Sequence, residues 1–213
     1  MYAEPLFLLI AFVSSFIGLS AHQHNHKEAA ATSARLQSAT NIVWALPARS
    51  QSDAPTAQAA QTDCVAVIPG FSNDTRSMGM ASGQGFITCR VRHRWSAPAA
   101  IMLESSSPAM LADGGRTDVI LLLKGHSFAE SFLSGAFVPG DGVEEASGGK
   151  LFFRQSKHTF AKFTLPDAVV RPDTPINELL YGRPLSPSVI LDSKQTPHTV
   201  AQDFVSWVEW RFR

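Results

Sequence analysis

Three arginines at alternate positions, Arg90, Arg92 and Arg94, are the sharpest chemical feature of the sequence. They lie in the run FITCRVRHRW (86–95), whose period-two pattern predicts a single strand. Ile87, Cys89, Val91, His93 and Trp95 would share one face, and Phe86, Thr88 and the three arginines the other. Alternate residues of a strand stand about 6.6 Å apart, so the guanidiniums would form a linear cationic stripe. Guanidinium binds phosphate through paired hydrogen bonds, which makes an anionic head group a suitable ligand. Lys150, Arg154, Lys157 and Lys162 would widen the stripe if their segment packs alongside. The alternative is a solvated face whose arginines pair with surface carboxylates, at little energetic gain. His93, on the apolar side, reads as a core histidine rather than a pH switch.

A second candidate is the C-terminal segment PHTVAQDFVSWVEWRFR (197–213). Val200, Phe204, Trp207, Val208 and Arg211 line one helical face, with Trp210 off it. Phe204, Trp207, Trp210 and Arg211 have the composition of a membrane interface. The same spacing serves for docking on a sheet, which is the favoured reading. Cys64 and Cys89 stand 25 residues apart in strand-like segments, so they are either bonded or two buried thiols. His22, His24 and His26 alternate as metal ligands can, but no carboxylate or cysteine completes the set, and a flexible polar leader is favoured. No GxSxG, HExxH or P-loop spacing occurs. Cys89 lies on an apolar face, which disfavours a thiolate, and Glu104 and Asp118 flank apolar strands. The expectation is a non-enzymatic protein without a cofactor.

The elements that must position these residues follow from patterning. The chain has 213 residues, 45% of them hydrophobic, and a balance of 18 basic and 18 acidic groups. That length suits one core, and the balance gives no global footprint for nucleic acid. Pro5 to Ala21 is an apolar run of secretory type, although Glu4 stands where a basic n-region belongs. The chain is therefore expected to be exported, periplasmic or secreted, or membrane-anchored if residues 1–21 are retained.

Residues 22–62 read as a polar leader, a helix over 32–46 and a loose connector; residues 63–213 read as one domain. The helix carries Leu36, Ala39, Val43 and Leu46 on one stripe, with Trp44 beside it; the stripe could insert into a bilayer, but only Arg35 adds positive charge nearby, so packing on the domain is the favoured reading. Strands are expected at CVAVIP (64–69), 86–95, AAIMLE (99–104) and DVILLL (118–123), the last buried on both faces. KLFFR (150–154) and TFAKFTL (159–165) read as a hairpin. Helices are expected after Ser127, over INELLY (176–181) behind Thr174-Pro175, and from Thr196-Pro197 onward. The fold class is α+β, with a mainly antiparallel sheet, expected to be barrel-like, carrying the N-terminal helix and short helices.

Taken in order, DCVAVIPG, GQGFITCR, WSAP, TDVILLL, SFLSGAF, VVRPD and ELLYG resemble the SYLF family of lipid-binding domains. The resemblance spans about residues 32–195 and includes the helix before the first strand. It implies membrane-lipid binding, with phosphoinositides as ligands of eukaryotic members. For an exported chain it implies anionic phospholipid, or a membrane surface, as the partner; no protein partner is implied. The alternative is an envelope interaction protein that keeps the scaffold without a ligand site.

Overall fold

The computed structural model describes residues 6–47, 54–73, 80–92, 94–106, 116–124, 150–156, 159–165, 168–192 and 199–213. The side chains of 6–22, 24, 73, 150–152, 156 and 199 lie outside that description, as do the helix expected after Ser127, His93 and Lys157. The chain divides into two units, Met1–Ala34 and Arg35–Arg213. In the first, the described backbone is helical, as part of α1 (Leu6–Trp44). The helix expected from residue 32 thus begins far earlier, and the leader expected to be flexible is helical. The sequence HQHNHKEAAA (22–31) contains no Gly or Pro, and its alanines are the best helix formers. Among the described residues, no helix is long and apolar enough to cross a membrane.

The second unit is built on a sheet of eight strands among the described residues: β1 (Cys64–Asn73), β2 (Ala81–Val91), β3 (Arg94–Trp95), β4 (Ala99–Ser105), β5 (Arg116–Leu123), β6 (Lys150–Ser156), β7 (Thr159–Phe163) and β8 (Val169–Pro172). The order is β7-β6-β5-β1-β2-β4-β8, with β3 on β2, and all pairings are antiparallel. The α+β class and the antiparallel sheet are as expected, but the sheet stays open, so the barrel-like closure is not formed.

Both sheet faces are covered, which explains why CVAVI and VILLL carry apolar residues without alternation. One face gathers Cys64, Ala66, Ile68, Ile87, Ile101, Leu121 and Leu123, with Ile190 and Leu191 from α3 (Pro187–Asp192). The other gathers Val65, Val67, Phe86, Ile120, Leu122 and Phe153. There the expected stripe of Leu36, Ala39, Val43 and Leu46 is buried, together with Ile176 of α2 (Thr174–Tyr181) and Phe204 and Val208 of α4 (Thr199–Arg211).

Three local devices hold the sheet in register. At Pro69-Gly70 the pairing of β1 shifts by one residue against both neighbours. Gly70 takes φ +65° there and donates its N–H to Asp118 Oδ1 at 2.8 Å. Gly85 crosses so close beneath β1 that a Cβ would lie 2.2 Å from the Val67 carbonyl oxygen. At the β4 edge, buried Asn177 behaves as a piece of strand: Ala100 N–H donates to its Oδ1 (2.7 Å) and its Nδ2 to the Ala100 carbonyl (3.0 Å). The helix bearing Asn177 is framed as its sequence predicts, by Asp173 accepting from Ile176 N–H and by left-handed Gly182 at its end.

The connector expected over 47–62 is, from residue 54 on, ordered packing. Pro55–Gln61 form a 3-10 helix in which Thr56 and Ala59 are buried. Thr56 donates to the Pro47 carbonyl and Thr62 to that of Gln58, each at 2.8 Å. Alanine is small enough for such a turn to lie close on a core. Its neighbours Cys64 and Cys89 face one another across β1 and β2 and are bonded, with 4.0 Å between their Cα atoms. Closing a loop of 25 residues stabilises a fold by about 3 kcal/mol. The Cys64→Ala/Cys89→Ala variant is therefore expected to lose about that much in denaturant unfolding, and the unfolded wild type should take up iodoacetamide only after reduction. Uptake before reduction would contradict the bond.

Candidate functional site

The arginine run does not continue as one strand. β2 ends at Val91, Arg92 takes φ +59°, and the chain returns as β3 with Arg90 opposite Trp95 and Val91 opposite Arg94. The linear stripe of Arg90, Arg92 and Arg94 is replaced by a tight hairpin. The reversal begins at Arg92, and the sequence there carries no Gly or Asn of the kind that usually announces one. Reversal also moves Trp95 off the face of Cys89 and onto that of Phe86, where it meets Phe212 edge-on at 6.2 Å.

The hairpin separates the arginines by role. Arg92 and Arg94 are exposed at its tip. Arg90 turns inward, its guanidinium 4.7 Å over the Trp95 ring. Its Nε donates to the Thr62 carbonyl (2.9 Å), and its Nη2 to the carbonyls of Ala59 (3.3 Å) and Phe212. Arg90 therefore ties the 3-10 helix and the end of α4 to the sheet. Hydrogen bonds from a charged donor contribute about 1.5–3 kcal/mol each, and removing this one group would remove its bonds to three carbonyls.

On α4, Ala201, Phe204, Val208 and the following Phe212 are buried. Phe204 is thus a core residue, 6.4 Å from Phe86 ring to ring, and not part of an interface. Sheet docking explains it, because the period that presents Phe204 also presents Val208 and Phe212 to the same face. Trp207 is half-buried and meets Trp210 edge-on at 5.5 Å. Trp210 itself is 53% exposed. Arg211 lies 4.5 Å over the Trp210 ring and donates Nη2 to the main-chain carbonyl of Trp44, which ends α1 and is 58% exposed. Partial burial lowers the Arg211 pKa from its ordinary value, and its enclosed Nε has no acceptor among the described residues. A guanidinium remains charged at neutral pH nonetheless.

The basic residues of the β6–β7 hairpin do not widen this region. β5 and β1 stand between β6 and β2, a separation of about 14 Å at three strand spacings. Arg154 pairs with Ala161 while Lys162 pairs with Phe153, which places Arg154 and Lys162 on opposite faces. Lys150 pairs with Leu123, which is opposite Cys64 and through it Cys89, so it is level with the start of the β2–β3 hairpin but three strands away, and Lys157 lies outside the described residues. Elsewhere, Glu104 pairs with Arg171 at 3.0 Å and Asp118 holds Gly70. His26 is exposed on α1, the side chains of His22 and His24 lie outside the described residues, and no metal-binding cluster occurs among the described residues.

What the fold does bring together is the end of α1, the last turn of α4 and the β2–β3 hairpin, which packs on α4 through Trp95 and Phe212. Trp44, Trp210 and Arg211 lie there, with exposed Arg213 following Phe212 and with Arg92 and Arg94 at the hairpin tip. Guanidinium suits phosphate, and indole suits a boundary that is apolar on one side and wet on the other. Sequence reasoning named Trp44 beside the helix stripe but missed its link to Arg211, which is 167 positions away. No family model matches the chain, nor does any curated protein or solved structure. The burial contrast gives a direct expectation. Phe204→Ala should cost about 3–5 kcal/mol in denaturant unfolding, whereas Trp210→Ala should change stability by under about 1 kcal/mol. Equal losses would contradict the division between core and exposed surface.

Proposed function

We propose that this chain is a non-enzymatic protein that binds anionic membrane lipid through its hairpin and C-terminal turn. The observation that supports this reading best is Arg211, seated over exposed Trp210 and bonded to the end of α1 at exposed Trp44, with exposed Arg213 two residues on and exposed Arg92 and Arg94 in the neighbouring hairpin. Lipid phosphate is the ligand such a group favours, through paired hydrogen bonds and long-range attraction. The ordered likeness to SYLF lipid-binding domains supports the same class. The bonded cysteines support an exported location, since disulfides persist in oxidising compartments. The arginines named here differ from the strand stripe: Arg90 supports the surface from behind, and Arg211 and Arg213 take its place.

Cosedimentation of the purified chain with phosphatidylglycerol and phosphatidylcholine vesicles tests this reading. Binding should favour the anionic vesicles and weaken with salt, because screening shortens from about 10 Å at 0.1 M to about 3 Å at 1 M. Near an anionic surface each arginine contributes about 1 kcal/mol. Arg92→Gln/Arg94→Gln/Arg213→Gln should then weaken anionic binding about a hundredfold while the fold persists. Equal binding to both vesicles, no binding, or a variant that binds like the wild type would overturn the reading.

A further inference from the structure

We infer that Trp44 and Trp210 act as a paired anchor that seats in the head-group boundary of an anionic bilayer, with Arg211 as the brace between them. This rests on the lipid-binding reading but goes further, because arginines alone would hold the protein above the head groups. Four large apolar side chains are exposed among the described residues: Trp44 at 58%, Trp210 at 53%, Val189 at 46% and Met80 at 41%. The two most exposed are both tryptophan, and the same guanidinium touches both residues. The large apolar residues next to them on each stripe are buried. Ile42, Val43 and Leu46 are buried around Trp44, and Phe204, Val208 and Phe212 around Trp210. Two helix ends have therefore each buried an apolar stripe and left one indole outside it.

The surroundings of the indoles favour a bilayer over a protein partner. Helix ends carry carbonyls without intrahelical partners, and such groups are costly to bring toward hydrocarbon. Here Arg211 satisfies the Trp44 carbonyl and Arg90 that of Phe212. Both arginines also lie over indole rings, Arg211 on Trp210 and Arg90 on Trp95, which suits them to a boundary of falling polarity. Arg211 and exposed Arg213, on the same turn as Trp210, complement a sheet of phosphates beside the pair. Glu209 is also exposed in this turn and reduces the net charge of the patch without changing its sign.

Fluorescence of the full chain on phosphatidylglycerol vesicles with brominated acyl chains tests the anchor. The wild type should be quenched by the bromines, and Trp44→Phe/Trp210→Phe should lose most of that quenching. Trp44→Ala and Trp210→Ala should each weaken vesicle binding roughly tenfold, with unchanged circular dichroism. Binding without quenching, or quenching that the double variant retains, would overturn the anchor and leave the head-group reading standing. No binding to anionic vesicles would overturn both.

Discussion

The guanidinium of Arg90 joins three parts of the chain that have no local reason to meet. It bonds carbonyls at Ala59 and Thr62, reaches the carbonyl of Phe212, and lies flat on Trp95 within its own hairpin. The carbonyls of Thr62 and Phe212 are of the kind that the end of a 3-10 turn or of a helix leaves behind, and that of Ala59 also accepts from Thr62 N–H. A planar donor with five N–H groups can satisfy several at once, which a lysine cannot. The consequence is positional. With Phe212 held, the preceding turn presents Trp210 and Arg211 in one direction, and Arg211 can reach the end of α1.

The sheet makes this possible by being filled on both faces. β1 and β5 bury residues of either parity, so helices must cover each side and their ends must project past the sheet margin. On the face carrying Val65, Phe86 and Phe153, α1 and α4 supply that cover, and their C-terminal ends meet beside the β2–β3 hairpin. The exposed aromatic and basic residues are thus mounted on packed elements rather than on free loops. The cysteine bond lies directly behind them, between β1 and the residue preceding Arg90.

Much of the fold was legible because its causes are local. Thr174-Pro175 opens α2 and Gly182 closes it; VILLL reads as doubly buried; the stripe from Leu36 to Leu46 packs as its period requires. The candidate site was less legible. Alternation in FITCRVRHRW continues in the sequence past the point where the backbone reverses, because Arg92 adopts a left-handed conformation without a glycine to signal it. From that reversal came the wrong face for Trp95 and the wrong role for Arg90. Alanine and glutamine in the connector gave no sign of the 3-10 helix, whose carbonyls at Ala59 and Thr62 accept from the distant Arg90 guanidinium. The link between Trp44 and Arg211 joins the ends of two helices 167 residues apart, and no local pattern encodes it.

Hydrogen exchange with and without anionic vesicles tests the central claim most directly, because it maps where the membrane sits on the fold. The account predicts slowed exchange confined to the end of α1 around Trp44, the hairpin at 92–95 and the turn at 207–213. Protection centred instead on the β6–β7 hairpin, around Arg154 and Lys162, would contradict it.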